Sequence, residues 1–145
     1  MQEATVTLQF ITPCLGNVRG GPGEPDKFEH DPVTGLVTFY QSYWQNLLVR
    51  GAQAYSKCQN GVRLIRVHPC IDGKPKIYRR YYGYDSHTDH EAFLVGDEII
   101  VKALLPDGMT PLDFEAILKL AGGYFGISPY GWQSGFGRFT VKRST

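Results

Sequence analysis

The first predicted element is a strand, marked by alternating apolar and polar side chains near the start of the chain. Within residues 4–11, the apolar Val6, Leu8 and Phe10 alternate with the polar Thr5, Thr7 and Gln9. Because successive side chains of a strand point to opposite faces, this pattern predicts a strand with one buried face. Thr12-Pro13 should end it, because proline lacks the amide donor that a strand ladder needs.

The next segment, residues 16–37, shows no apolar period. It contains five glycines, three prolines and charges of both signs. This composition predicts a long loop that closes in a small turn or hairpin over residues 33–37. Loops of this length inside a compact domain are usually functional or mobile.

A helix is predicted to follow this loop. Thr38 and Gln41 have the spacing of a capping box, which predicts where the helix begins. Apolar residues then recur at helical intervals as far as Tyr55, and they predict a broad buried face. We expect the helix to end near Lys57, before Asn60-Gly61.

The middle of the chain carries strand patterns. Residues 62–67 and 76–82 flank an Asp72-Gly73 turn and predict a hairpin. Residues 83–91 are polar and predict an interruption. A short strand is then expected over residues 92–95.

The last third of the chain predicts a strand, a helix and a strand. Residues 98–105 are rich in β-branched side chains and predict a buried strand. Thr110, Pro111 and Asp113 match a helix start with a cap, a proline in the first turn and an acid. Gly122-Gly123 should end this helix, and residues 136–142 should form the last strand.

The predicted order is typical of a ferredoxin-like βαββαβ fold with one extra β-hairpin before the second helix. We therefore predict an α+β fold in which two helices lie on one face of an antiparallel sheet. At 145 residues, the chain is expected to form a single domain with its own core.

A glycine-rich loop is the first candidate binding site. Between the second helix and the last strand, residues 126–139 combine glycines, aromatic rings and one arginine. Glycine lets backbone approach a ligand, aromatic faces stack on bases, and arginine pairs with phosphate. The candidates here are Trp132, Gly135, Phe136, Gly137 and Arg138. The alternative is a turn whose aromatic rings cover the core.

The predicted hairpin of residues 62–82 is the second candidate site, because cations and tyrosines interleave along it. Its candidates are Arg63, Arg66, Lys76, Tyr78, Arg79, Arg80 and Tyr82. Alternation should place Tyr78, Arg80 and Tyr82 on one face of the second strand. Cations that contact phosphates, beside aromatic rings that stack on bases, suit the binding of single-stranded RNA. Alternatively, the arginines pair with nearby acids and the tyrosines pack over helices.

Two histidines in the polar segment offer catalytic chemistry. Because imidazole titrates near neutral pH, His87 and His90 are candidates for acid–base catalysis in a metal-independent ribonuclease, with Tyr82 and Arg80 nearby. Their spacing of three suits metal ligation on a helix but not on a strand, so we predict no metal site and no other cofactor. A polar surface loop is the alternative.

Charge and composition narrow the classes of partner. The net charge of +1 argues against bulk attraction to nucleic acid, so any such binding must come from local patches. No apolar run approaches the roughly twenty residues of a membrane span, and the start of the chain lacks a leader pattern, so we expect a cytoplasmic protein without a membrane partner. The odd cysteine count, Cys14, Cys58 and Cys70, predicts reduced thiols.

Two segments of the chain resemble the RAMP superfamily of CRISPR-associated proteins. Residues 8–23 resemble the first strand of that family, its Thr-Pro-type turn and the glycine-bearing loop that follows. Residues 135–139, Gly-Phe-Gly-Arg-Phe, resemble its glycine-rich loop before the final strand. The resemblance implies ferredoxin-like modules that bind or process RNA, within a ribonucleoprotein complex of antiviral defence. A small phage-encoded relative acting on host nucleic-acid or nucleotide systems fits equally well.

Three functions follow as hypotheses. The first is a non-catalytic module that binds RNA or a nucleotide, with a protein partner in a ribonucleoprotein complex. The second is a metal-independent endoribonuclease or phosphodiesterase that uses His87 or His90. The third is a protein–protein inhibitor or assembly subunit, for which a tyrosine-rich surface of near-zero net charge is apt. Homo-oligomerisation remains open in each case.

Overall fold

The computed structural model describes residues 2–127 and 135–142. Its strands are β1 (Gln2–Phe10), β2 (Cys14–Leu15), β3 (Glu29–His30), β4 (Val37–Thr38), β5 (Arg66–Val67), β6 (Cys70–Ile71), β7 (Lys76–Tyr81), β8 (His87–Phe93), β9 (Glu98–Leu105) and β10 (Phe139–Lys142). The helices are α1 (Gln41–Tyr55) and α2 (Pro111–Tyr124), and Val62–Leu64 forms a 3-10 turn. In these described ranges, neither α-helix is long and apolar enough to span a bilayer.

The main sheet has the strand order of a ferredoxin-like fold. Its strands run β10-β1-β9-β5, and every neighbouring pair is antiparallel. Alternate residues of β1 and β9, such as Val6 and Val101, are buried on one face. The two helices cover that face, because their own apolar side chains need the same burial. The predicted α+β fold is confirmed.

The second helix begins as its sequence predicts, whereas the first does not. Thr110 and Asp113 form a reciprocal capping box at the start of α2, and Pro111 occupies its first turn. The box predicted from Thr38 to Gln41 is wrong, because Tyr40 is the N-cap of α1 and makes no side-chain cap. The Gln41 amide instead bonds the backbone of β5 and the residue before it, accepting from Val67 N and donating to Ile65 O.

Close packing explains why α2 continues through two glycines. The predicted end at Gly122-Gly123 is wrong, since α2 extends to Tyr124. A Cβ on Gly122 would lie 2.4 Å from the Phe139 ring, so this glycine lets α2 lie directly on β10. Gly51 likewise lets α1 lie close to α2, because a Cβ on Gly51 would lie 2.5 Å from the carbonyl oxygen of Ile117.

The hairpin predicted from residues 62–67 and 76–82 does not form. β5 pairs with β9 of the main sheet, and β7 pairs with β8, which begins at His87 inside the segment expected to be an interruption. Alternation identifies a strand but not its partner, and the polar start of β8 hides its strand character. The extra hairpin before α2 is therefore β7–β8, and β2 joins it as a third strand.

The long first loop is held to the rest of the protein by short pairings. Asp26 bridges to His90 of β8, and β4 pairs with β6. Within the loop, Val18 bridges to Lys27, and β3 and β4 form the small hairpin expected near residues 33–37. Phe28 from this loop stacks on Phe93 at a ring-centroid distance of 5.2 Å, and Phe93 stacks on Phe10 at 5.6 Å. Aromatic packing therefore joins the loop, β8 and the main sheet in one core.

Candidate nucleic-acid interface

The β7–β8 hairpin presents two faces of different character. On one face, Arg79 lies opposite Asp89 and Tyr81 lies opposite His87. On the other face, Tyr78 lies opposite His90 and Arg80 lies opposite Thr88. The predicted division of β7 into these two faces is confirmed by the register, and β7 alternates between exposed and half-buried residues from Ile77 onwards.

Acids of the same region pair with two of the predicted cations. Arg79 contacts Asp89 through two nitrogens, at 2.8 and 3.2 Å, and Lys76 Nζ lies 2.6 Å from Asp97 Oδ1. The hydrogen bond to Arg79 holds the pKa of Asp89 below its usual value, and the same contact raises the pKa of Arg79. These contacts agree with the alternative hypothesis, in which the cations of the hairpin pair with nearby acids. The acids offset part of the positive charge of the hairpin.

The half-buried Arg80 and the buried His90 belong to one network. The Arg80 guanidinium lies 5.0 Å from the centre of the Tyr82 ring, and its Nε donates to His90 Nε2 at 3.3 Å. Because Nε2 accepts, Nδ1 carries the proton and donates to the Gly16 carbonyl at 2.7 Å. His90 is fully buried, so this geometry favours a structural function that ties the hairpin to the first loop.

Three tyrosine rings stand in solvent at the end of the hairpin. Tyr81 and Tyr82 are 69% and 53% exposed, and Tyr84 is fully exposed. The turn closes through the hydrogen bond from Tyr82 N to Ser86 O, with Gly83 at a φ of 120°. Large rings that stay mostly exposed after folding are typical of a surface that contacts a partner.

His87 is the exposed histidine of this hairpin. Its ring lies edge-to-face against Tyr81 at a centroid distance of 5.9 Å, on the same face as Asp89 and Arg79. His87 and His90 point to opposite faces, because three residues separate them on a strand. The structure therefore does not bring the two candidate catalytic histidines together.

The glycine-rich loop packs beside the hairpin. Phe136 contacts Tyr78 edge-to-face at 6.1 Å. Gly137 N donates to Pro13 O at 2.7 Å, and Gly137 O accepts from Ile127 N at 2.7 Å. Gly135 and Gly137 both have positive φ, which glycine adopts without strain.

The remaining candidates lie at different places. Arg138 is exposed at the end of the glycine-rich loop, while its backbone N donates to Thr12 Oγ1. Trp132 lies outside the described residues. Arg63 and Arg66 belong to the 3-10 turn and to β5, and Arg66 donates to the Arg63 carbonyl at 3.3 Å. Because β5 joins the main sheet, these two arginines are not part of the β7–β8 hairpin.

His30 forms a paired contact that the sequence does not indicate. Its Nε2 lies 2.7 Å from Glu91 Oε1 and its Nδ1 lies 2.9 Å from the Gly35 carbonyl. The bond to Gly35 raises the pKa of His30, and Glu91 adds to this effect. No local pattern could have indicated the pair, because 61 residues separate its members. Over residues 2–127 and 135–142, no three His, Cys, Asp or Glu side chains are grouped to hold a metal ion.

Comparisons with known proteins identify the fold. No protein-family model matches the chain, and no curated protein matches its sequence. Among solved structures, it is similar to a chain in the cryo-EM structure of the Type III-B Cmr-beta bound to cognate target RNA, with a TM-score of 0.60 at 13% identity. The match covers 97% of this chain but 58% of the other. The similarity supports a ferredoxin-like fold and agrees with the RAMP resemblance at the level of fold.

Proposed function

We propose that this protein is a non-catalytic module that binds single-stranded RNA through the β7–β8 hairpin. The observation that carries the proposal is the set of exposed rings at the hairpin end. We call Tyr81, Tyr82 and Tyr84, together with Arg79 and Arg80, the hairpin surface. Phe136 and Arg138 of the glycine-rich loop extend it, because Phe136 packs on Tyr78 of the same hairpin.

Single-stranded RNA fits the chemistry of this surface. Exposed tyrosine rings can stack on unpaired bases of any sequence, and each such contact contributes about 1–3 kcal/mol. Arg79 and Lys76 already pair with acids, so stacking should supply more of the affinity than charge does. The salt dependence of binding should consequently be moderate.

The structural comparison supports the proposal indirectly. The Cmr-beta structure to which this chain is similar is bound to cognate target RNA. A protein partner in a ribonucleoprotein assembly would suit the same surface, because exposed tyrosine rings are also enriched in protein–protein interfaces.

Replacement of a ring at the hairpin end tests the stacking. We would measure fluorescence anisotropy of a labelled single-stranded oligoribonucleotide with the wild type, Tyr84→Ala and Leu112→Ala. Tyr84→Ala should raise Kd about tenfold, since one stacking contact is lost. Leu112 is also well exposed, at 63%, but lies at the start of α2 outside the hairpin surface, so its replacement should leave Kd unchanged. Equal affinity of all three proteins would refute the proposal.

Arg138 tests the contribution of charge. Its guanidinium is the cation expected to contact phosphate, so Arg138→Ala should weaken binding of all sequences and reduce the slope of log K against log salt by about one. Arg19→Ala, an exposed arginine of the first loop, is the control. An unchanged slope for Arg138→Ala would remove the glycine-rich loop from the interface.

The second candidate function is a metal-independent endoribonuclease. The observation that favours it is the exposed His87 ring beside Tyr81 and near Arg79, which together offer a proton-transfer group and a cation. Incubation of RNA in the presence of EDTA, read on a denaturing gel, should show cleavage that His87→Ala abolishes. RNA that is bound but stays intact favours the binding module, and a protein that neither binds nor cleaves RNA but forms a stable protein complex favours the assembly subunit.

A further inference from the structure

A second polar groove lies away from the hairpin, between α1 and the 3-10 turn. Its volume is about 400 Å³. Five polar or charged side chains and one valine line it: Gln45, Asn46, Val49, Arg50, Gln53 and Arg63. The five helical members recur along α1 at a spacing that places them on one stripe of the helix. Three amides and two guanidinium groups therefore face one space, and no acid is among the lining residues.

The charge around this groove is one-sided. No Asp or Glu occurs between Asp31 and Asp72, so α1 and the 3-10 turn contain no acid at all. The same stretch carries Arg50, Lys57 and Arg63. The groove itself is lined by two arginines and by no acid, and this charge favours anions locally.

The groove is also held in shape. Gln45 Nε2 contacts the carbonyls of Arg63 and Ile65, each at 3.4 Å, which links the helix to the 3-10 turn. The Arg50 guanidinium lies 5.2 Å from the centre of the Phe125 ring, which restrains its position on the stripe. Less conformational entropy is lost on binding when such groups are already positioned.

We infer that this groove binds a phosphate group, either of a free nucleotide or of an RNA backbone. Guanidinium groups recognise phosphate with charge-assisted bonds, and the amides of Asn46 and Gln53 can complete the hydrogen bonds of its oxygens. The inference concerns a site separate from the hairpin surface and does not rest on the proposed RNA-binding function.

NMR titration of the intact protein tests the inference. The probes are inorganic phosphate, adenosine 5′-monophosphate and a short single-stranded RNA, each added at constant ionic strength. The side-chain signals of Asn46, Gln53 and Arg63 should shift with phosphate and with at least one larger probe. A tighter Kd for the monophosphate indicates a nucleotide site, and a tighter Kd for RNA indicates a backbone site; either result supports the inference.

Variants separate this site from the hairpin. Arg63→Ala should raise the phosphate Kd about tenfold, because one charge-assisted contact is lost. The described contacts of Arg63 use its backbone carbonyl, so the fold should be retained. Tyr84→Ala should leave the phosphate Kd unchanged even if it abolishes RNA binding. The inference is overturned if chloride alone produces the same shifts, if no groove signal shifts, or if Arg63→Ala binds phosphate as tightly as the wild type.

Discussion

The Thr12 hydroxyl accepts a hydrogen bond from the backbone N of Arg138 at 2.8 Å. This contact joins the turn after β1 to the glycine-rich loop before β10, across 126 residues of sequence. Ile11 N also donates to the Arg138 carbonyl, at 2.9 Å. The two segments that resemble the RAMP superfamily are therefore bonded to each other, beside the hairpin.

Thr12→Val should destabilise the protein by about 1 kcal/mol, because the isosteric side chain cannot accept the bond from Arg138 N. Thr12→Ser keeps the hydroxyl and should stay close to the wild type. Urea unfolding followed by circular dichroism gives both free energies. If Thr12→Val and Thr12→Ser unfold at the same urea concentration, the hydroxyl contributes nothing to this junction.

Gly126→Ala should cost more stability than Gly135→Ala. Both glycines have positive φ, near 84° and 81°, so each substitution introduces backbone strain of about 1 kcal/mol. At Gly126 the new Cβ would also lie 2.6 Å from the Gly137 backbone, whereas at Gly135 no described heavy atom lies within 4 Å. Comparison of the two variants separates backbone strain from steric overlap. Equal unfolding free energies of the two variants would show that the segments containing Gly126 and Gly137 do not pack closely.

Gly51→Ala and Gly123→Ala should change the stability of the protein in opposite directions. In α1, the methyl group at Gly51 would meet the Ile117 carbonyl and the Ala121 side chain, which should cost about 2 kcal/mol. In α2, Gly123 has open space around it, so alanine should stabilise the helix by about 0.5 kcal/mol. Thermal unfolding measures both changes, and stabilisation by Gly51→Ala would contradict the observed helix packing.

The contact between His30 and Glu91 should make stability depend on pH. Both ring nitrogens face acceptors, the Gly35 carbonyl and Glu91, so the doubly protonated ring is favoured and the pKa of His30 is raised. Partial burial of the ring opposes this shift, and the nearby Lys27 opposes it least of all, but the bond to the Gly35 carbonyl is the largest effect. The stabilisation is fully present below the unfolded pKa of about 6.5 and is lost as the pH rises through the folded pKa.

An NMR titration of the His30 ring measures the folded pKa directly. Urea unfolding between pH 5 and pH 8 should show a decline in the wild type that His30→Gln lacks. A folded pKa at or below about 6.5 would contradict the prediction.

Local patterns were sufficient for the elements whose chemistry is local. Alternation identified β1, the β-branched content of residues 98–105 identified β9, and the Thr110–Asp113 box identified the start of α2. Local patterns failed where a contact with a distant part of the chain decided where a helix begins or ends. Gly122 remains helical because Phe139 packs against it, and α1 begins without the predicted box while Gln41 bonds the strand next to it.

The sequence by itself determined the order of strands and helices, and with it the α+β class, because backbone periodicity and capping act between neighbouring residues. Only the tertiary structure decided which strands pair, since β1 lies between β9 and β10 from the far end of the chain. It also decided which titratable groups are buried or paired. Hydrogen bonding and desolvation depend on neighbours in space. Tertiary packing buries His90, places Arg79 beside Asp89, and leaves the tyrosines of the hairpin end in solvent.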